Sequence, residues 1–216
     1  MKNYFEALFT KHKLFFLILG FSFLVYLPSL NNQLFWDDEQ FIYNNAYVKN
    51  FQVDKIFTQN TLAGAGENSN YYRPLTTLSF AIDHLFWGLN PIGYHLTNTV
   101  MHLIAGTLLF IILKELGMKE AASAVIAGIF MLHPIQTEAV VYANSRGDSF
   151  YTLLMFAGIL AMIFSIKKKN FTLHLYNLQY SFSEWFFALL VPVLLFLSIL
   201  AKEIALGSIL LYLVVC

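Results

Sequence analysis

Three adjacent carboxylates, Asp37, Asp38 and Glu39, follow directly after an uncharged segment long enough to cross a membrane. A carboxylate beside a membrane can act as a general base on a hydroxyl group if it lies within hydrogen-bond reach and burial adjusts its pKa. Because the Asp37 and Asp38 side chains cannot point the same way, one can contact a substrate while the other orients the loop or a cation. The cluster therefore predicts acid–base chemistry at a membrane exit.

A second set of charged residues is expected on the same side of the membrane, because an even number of predicted crossings separates the segments that carry them. Guanidinium groups suit phosphate oxygens, and an ammonium adds a compact positive charge. The expected phosphate ligands are Arg146, Lys202 and Arg73, and the expected supporting side chains are Glu39, Glu138, Asp148, Glu203 and His133. Carboxylates and cations together predict an acceptor hydroxyl that meets a donor attached to a lipid phosphate.

Each of these residues also has a simpler interpretation. Charged side chains at the ends of spans commonly mark the boundary with water. Arg73 can equally be an interfacial anchor, and His133, which precedes a proline, is more often a capping or interfacial histidine than a ligand. Lys202 and Glu203 can simply mark the end of the apolar helix predicted directly before them.

The composition places these residues in an integral membrane protein. Hydrophobic residues make up 58% of the chain, charged residues 12%, and the mean hydropathy is +0.61. The uncharged stretches are 14–36, 88–113, 121–137, 149–166, 185–201 and 204–216. The last is shorter than the roughly 17 residues that a spanning helix needs, so we expect it to begin a helix that a longer protein would complete. The prediction is one all-α, polytopic membrane domain over residues 1–216, with about six transmembrane helices and no soluble domain.

The distribution of lysines predicts a cytoplasmic N-terminus. Eight of the thirteen basic residues then lie inside, namely Lys2, Lys11, Lys13, Lys114, Lys119, Lys167, Lys168 and Lys169. Both arginines lie on the outer side, against the usual bias, which indicates a specific role for them. The first segment could instead be a signal peptide, but no small-residue cleavage site follows Leu30, which favours a retained anchor.

The first outer loop has about 50 to 55 residues, too many for a plain connection, so we expect it to be folded. Between residues 75 and 89 apolar side chains recur at helical spacing, with Asp83 and His84 on the other side. This pattern, bounded by Pro74 and Pro91, predicts a helix lying in the interface plane.

Several short motifs resemble those of one family, the transmembrane tetratricopeptide-repeat O-mannosyltransferases. They are FWDDEQFI at 35–42, YRPLT at 72–76, GYHLTN at 93–98, His133-Pro134, Thr137-Glu138-Ala139, Arg146 with Asp148, and Lys202-Glu203. Their order matches the membrane half of those enzymes. More widely, the pattern is similar to the GT-C glycosyltransferase fold that protein O-mannosyltransferases share.

The resemblance implies a polyprenyl-phosphate-linked, mannose-like sugar as donor and a protein or lipid hydroxyl as acceptor. It places transfer on the outer or lumenal face of a bacterial inner membrane or an endoplasmic reticulum membrane. Asp37 matches the first acid of the family's acidic pair and is the expected catalytic base, Asp38 matches the second, and Arg146 lies where related enzymes carry an important arginine. A divalent metal is possible because metal dependence varies within the fold class, but no metal ligand is assigned. We expect no nucleic-acid partner.

Two other functions stay open. No tetratricopeptide repeats follow the membrane segments, so the chain could be an inactive, truncated membrane scaffold. It could also be a transporter subunit, although a transporter places ionisable residues in the middle of its spans and these spans are free of them.

Overall fold

The computed structural model describes residues 10–167, 171–175, 178–208 and 212. The described chain is predominantly helical. Its α-helices are α1 (Lys13–Tyr26), α2 (Ala46–Lys49), α3 (Val53–Thr58), α4 (Pro74–Trp87), α5 (Pro91–Glu115), α6 (Glu120–Leu132), α7 (Thr137–Val141), α8 (Arg146–Ile166) and α9 (Glu184–Ala201). Between α8 and α9, strands β1 (Phe171–Leu175) and β2 (Leu178–Phe182) pair antiparallel, a small addition to a fold that is otherwise helical, as expected.

Short 3-10 and π-helical segments connect these helices. The 3-10 segments are Leu27–Asn31, Ala63–Ala65, Pro134–Gln136, Ala143–Ser145 and Glu203–Ser208, and a π-helical turn covers Glu39–Tyr43. Single π-helical turns often occur at functional sites. This one begins inside the acidic cluster.

Within the described residues, three helical segments are long and apolar enough to cross a membrane, namely Lys13–Asn31, Pro91–Glu115 and Ala143–Ile166. A fourth span results if Glu120–Leu132 and Pro134–Val141, which meet at 47°, are counted as one. The bend falls at Pro134, because the residue before a proline disfavours helical backbone. Trp185–Ala201 is apolar but shorter. Of the predicted sixth span, residues 204–208 belong to a 3-10 helix, and 209–211 and 213–216 lie outside the described residues.

The helices pack into a bundle in which α8 contacts both α5 and α9. At the opposite edge α1 packs on α6, and the Tyr26 hydroxyl donates to the Met131 carbonyl at 2.9 Å. His102 on α5 has Nε2 3.1 Å from the same carbonyl. The polar side chain of His102 thus connects α5 to the end of α6.

The segment between α1 and α5 is folded, as its length predicted. Its buried residues Phe41, Ile42, Val48, Ile56, Phe80 and Ala81 form one hydrophobic cluster with Tyr94 of α5 and with Ala143. Helix α4 has the predicted separation of polar and apolar sides. The polar side, which includes Ser79 and Asp83, is buried against the protein, while Leu85 and Phe86 on the apolar side are exposed. The polar side of α4 therefore faces the predicted site residues.

Candidate active site

The two adjacent aspartates of the acidic cluster have different environments. Asp38 is fully buried, and its carboxylate accepts hydrogen bonds from the backbone N–H groups of Phe35 at 3.0 Å and Asn144 at 2.8 Å. The Asp37 side chain is exposed. Its backbone N–H donates to the Tyr142 hydroxyl at 3.1 Å, and its carbonyl accepts the N–H groups of Gln40 and Phe41 at 3.0 and 2.9 Å. The Asp38 carboxylate thus fixes the loop, while the Asp37 carboxylate is presented to its surroundings.

The environment of Asp38 also changes its acidity. Burial raises the pKa of Asp38 to about 6, because a low-dielectric site disfavours the carboxylate. The two backbone hydrogen bonds and the positive charge of Arg146 oppose this effect, and the charge of Asp37 adds to it. Asp38 therefore holds its proton more strongly than an exposed aspartate does.

Arg146, at the start of α8, is fully buried and lies at the centre of a polar network. Its Nη2 is 2.5 Å from the Asp83 carboxylate on α4 and donates to the Tyr94 carbonyl at 2.9 Å. Its Nε donates to Asn98 on α5 at 2.7 Å, and its Nη1 donates to Ser79 on α4 at 3.2 Å. The guanidinium also lies over the Phe80 ring, 4.4 Å from the centroid. One side chain thus joins α4, α5 and α8.

This geometry changes the role assigned to Arg146. A phosphate ligand must present free N–H groups to solvent or substrate, whereas this guanidinium is enclosed and bonded to four protein partners. Asp83, the carboxylate that balances the charge of Arg146, is not among the predicted site residues, because a helix with one strongly apolar side suggests that its polar side meets water.

The other predicted phosphate ligands form two ion pairs. Lys202 Nζ is 2.7 Å from both carboxylate oxygens of Asp148. Arg73 makes a bidentate pair with Glu203, with Nε 2.8 Å from one oxygen. The pKa of Arg73 is raised by this hydrogen bond, and the charge of Asp148 raises it further. The same pairing lowers the pKa of Glu203 to about 2. These side chains are partly exposed, unlike Arg146.

The 144–148 segment connects the acidic loop to these cations. Asn144 holds Asp38, Arg146 holds Asp83, and Asp148 holds Lys202. A Cβ atom at Gly147 would lie 3.3 Å from Lys202 Cδ, so the lysine chain rests directly on this glycine. Asn98 makes two hydrogen bonds to the residues directly before this segment, since its side-chain N–H groups donate to the Tyr142 and Ala143 carbonyls at 3.1 and 3.3 Å.

The remaining predicted supporting residues lie around the acidic loop. Glu39 is exposed and lines a cavity of about 790 Å³ together with Tyr43 and several Asn and Gln side chains. Glu138 lines two others, of about 560 Å³ with Asp148 and of about 360 Å³ with Trp36. His133 caps a 3-10 turn, since its Nδ1 accepts the Ile135 N–H at 3.2 Å. This confirms its simpler interpretation.

Within the described part of the chain, no group of three or more His, Cys, Asp or Glu side chains is arranged to hold a metal ion. The carboxylates near the acidic loop are instead distributed over separate partners. Asp38 accepts backbone hydrogen bonds, and Asp83 and Asp148 pair with cations.

Comparisons with known proteins give one consistent result. Protein O-mannosyl-transferase Tmtc1 of Drosophila melanogaster is 28% identical over 195 residues, which cover 88% of this chain and 21% of the relative. Protein O-mannosyl-transferase tmtc2 of Xenopus laevis is 32% identical over 185 residues, 83% of this chain and 21% of the relative. Human Protein O-mannosyl-transferase TMTC1 is 32% identical over 151 residues, 67% of this chain and 17% of the relative.

The chain spans about a fifth of the length of these curated relatives. No family model matches the chain. No solved structure matches it either. The predicted resemblance is confirmed by the relatives: the chain is related to the TMTC protein O-mannosyl-transferases.

Proposed function

We propose that this chain provides the catalytic membrane region of a glycosyltransferase, which moves a mannose-like sugar from a polyprenyl-phosphate donor to a protein hydroxyl. The main support is the contrast between Asp37 and Asp38. Asp38 is buried and fixes the loop through two backbone N–H groups, which leaves the Asp37 carboxylate exposed at a defined position. The names of the relatives support a protein acceptor.

The reaction proceeds as a displacement at the anomeric carbon. Asp37 takes the proton of the acceptor hydroxyl as the oxygen attacks this carbon. The bond from the anomeric carbon to the phosphate oxygen breaks, and the polyprenyl phosphate leaves with the electron pair. Asp37 then releases its proton to water. The products are a glycosylated hydroxyl and a polyprenyl phosphate.

The leaving phosphate needs cations, and Lys202 and Arg73 are the candidates because their side chains are partly exposed. In this proposal Asp148 and Glu203 hold them before the donor binds, and the phosphate then competes for their N–H groups. Arg146 acts as a positioning residue through Asn98 and the 144–148 segment. The reaction takes place on the outer or lumenal face, and the animal origin of the relatives favours the endoplasmic reticulum membrane.

A comparison of two sugar donors tests whether the donor is a polyprenyl-phosphate sugar or a nucleotide sugar. Membranes that contain the protein are incubated with an acceptor protein and radiolabelled mannose. The mannose is carried either by a polyprenyl phosphate or by a nucleoside diphosphate. We expect label in the acceptor from the polyprenyl-phosphate donor alone, in membranes that cannot convert one donor to the other. Transfer from the nucleotide sugar alone would contradict the proposed donor. Absence of transfer from both would favour the inactive scaffold.

A further inference from the structure

Trp36, directly before Asp37, combines two unfavourable features. Its backbone φ is +52°, in the left-handed region that a bulky side chain rarely adopts. Its indole is 78% exposed, so burial of the ring does not offset this strain. Strained backbone of this kind persists where surrounding structure imposes it, and it clusters at binding and catalytic sites.

The surrounding structure that imposes this conformation is visible on both sides of Trp36. The Phe35 carbonyl accepts the Asp38 N–H at 3.1 Å, and the Trp36 carbonyl accepts the Glu39 N–H at 3.0 Å. The Phe35 ring also packs against the Tyr142 ring, with centroids 5.1 Å apart. The loop is therefore fixed at both ends, and the Trp36 side chain projects from it.

A cleft of about 360 Å³ lies beside Trp36. Its walls are the rings of Phe35, Trp36 and Tyr142 with Val141, and its polar groups are Thr137 and Glu138. This volume is near the lower end for small-molecule sites, which are mostly apolar with a few polar groups that fix orientation. Among these lining residues none carries a positive charge, so the cleft does not suit a phosphate.

A pyranose ring fits this lining because one face presents C–H groups and its edge presents hydroxyls. Resting on the proposed function, we propose that the cleft binds the sugar ring of the donor, with Trp36 against the C–H face and Glu138 accepting hydrogen bonds from hydroxyls. The left-handed backbone at Trp36 holds the indole over the cleft while Asp37, the next residue, meets the acceptor. Trp36 is then a specificity-determining residue of the donor site.

Tryptophan fluorescence tests this proposal directly, because the chain has only two tryptophans besides Trp36 and both can be replaced. Replacing Trp87 and Trp185 by Phe leaves Trp36 as the only indole. This protein is titrated in detergent with mannosyl phosphate on a short prenyl chain, and in parallel with the prenyl phosphate alone. We expect a saturable change in Trp36 emission only with the sugar-bearing ligand. An equal response to both ligands would assign Trp36 to lipid contact and overturn the proposal.

Substitutions give a second readout. Trp36→Ala should weaken binding of the mannosyl phosphate about tenfold, the scale of one well-packed aromatic contact. Trp185→Ala is the matched control, since Trp185 is 73% exposed and lies on α9. Trp36→Gly should weaken binding equally but raise the thermal unfolding midpoint, because glycine tolerates positive φ. Unchanged affinity in Trp36→Ala, or a lower midpoint in Trp36→Gly, would contradict the proposal.

Failure of this inference differs from failure of the proposed function. If the wild-type protein and Trp36→Ala bind the donor and transfer sugar equally, only the sugar cleft is wrong. If the wild-type protein binds no mannosyl phosphate at all, both are wrong. Asp37→Asn should keep the Trp36 emission change while losing transfer, which separates binding from chemistry.

Discussion

The Asp38 carboxylate accepts the backbone N–H of Asn144 at 2.8 Å, two residues before the buried Arg146. This bond joins the loop after the first predicted span to the start of α8. Since Arg146 is tied to Asp83 and Asn98, the position of the acidic loop depends on the packing of α4, α5 and α8. The exposed Asp37 is held in place by a network that extends into the helical bundle.

The ion pair of Arg146 with Asp83 should contribute to stability rather than to donor affinity. Asp83→Asn leaves a buried guanidinium without a counter-charge, which should lower the free energy of unfolding by about 3–5 kcal/mol. The double variant Asp83→Leu with Arg146→Met should recover much of this loss. Thr97→Val, which removes only a hydrogen bond to Asp83, should cost about 1 kcal/mol. Thermal unfolding in detergent measures all three, and wild-type stability of Asp83→Asn would contradict this role.

The raised pKa of Asp38 predicts that the stability of the protein depends on pH. Its pKa is about 6 in the folded protein and near 3.8 in the unfolded chain, so between these values the folded state binds more protons. Stability should therefore fall as pH rises from about 4 to about 6, by about 1–3 kcal/mol, and become level above that. Asp38→Asn should remove this slope. Unfolding midpoints at pH 5 and pH 7.5 test the prediction, which fails if both proteins show the same slope.

Lys202 and Asp148 allow a test of donor-phosphate binding. Lys202→Met should raise the donor KM about tenfold, the scale of one charge-assisted hydrogen bond. Asp148→Asn frees the ammonium from its partner and should lower the donor KM. If the pair is purely structural, both variants should lose stability and keep the wild-type KM. Initial rates over a range of donor concentrations distinguish these outcomes.

Much of the fold was predictable because apolar runs and prolines act locally. The helix at 75–89, the end of α6 before Pro134 and the folded first loop all follow from hydrophobic spacing and backbone restriction. The six predicted spans are not confirmed, since the described residues contain three or four. Strands β1 and β2 were not predicted, although apolar and polar residues alternate along both, because attention to long uncharged runs passes over short segments between them.

The site was predictable in its residue types and less so in its contacts. Adjacency alone indicated different roles for Asp37 and Asp38, because neighbouring side chains cannot share one direction. Which aspartate is buried depends on Asn144, 106 residues further along the chain. The partner of Arg146 was equally inaccessible, since Asp83 becomes buried only when α4 packs on α5. Long-range pairing of this kind leaves no local signal in one sequence.

The measurement that tests the central claim most directly compares Asp37→Asn with Asp54→Asn in membranes supplied with labelled polyprenyl-phosphate mannose and an acceptor protein. Asp54 is an exposed acid of the same folded loop, on α3, and serves as the matched control. We expect Asp37→Asn to keep its thermal stability and donor binding and to lose at least about a hundredfold in transfer rate, as for a general base, while Asp54→Asn keeps its rate. Undiminished transfer by a folded Asp37→Asn protein would remove Asp37 from the mechanism.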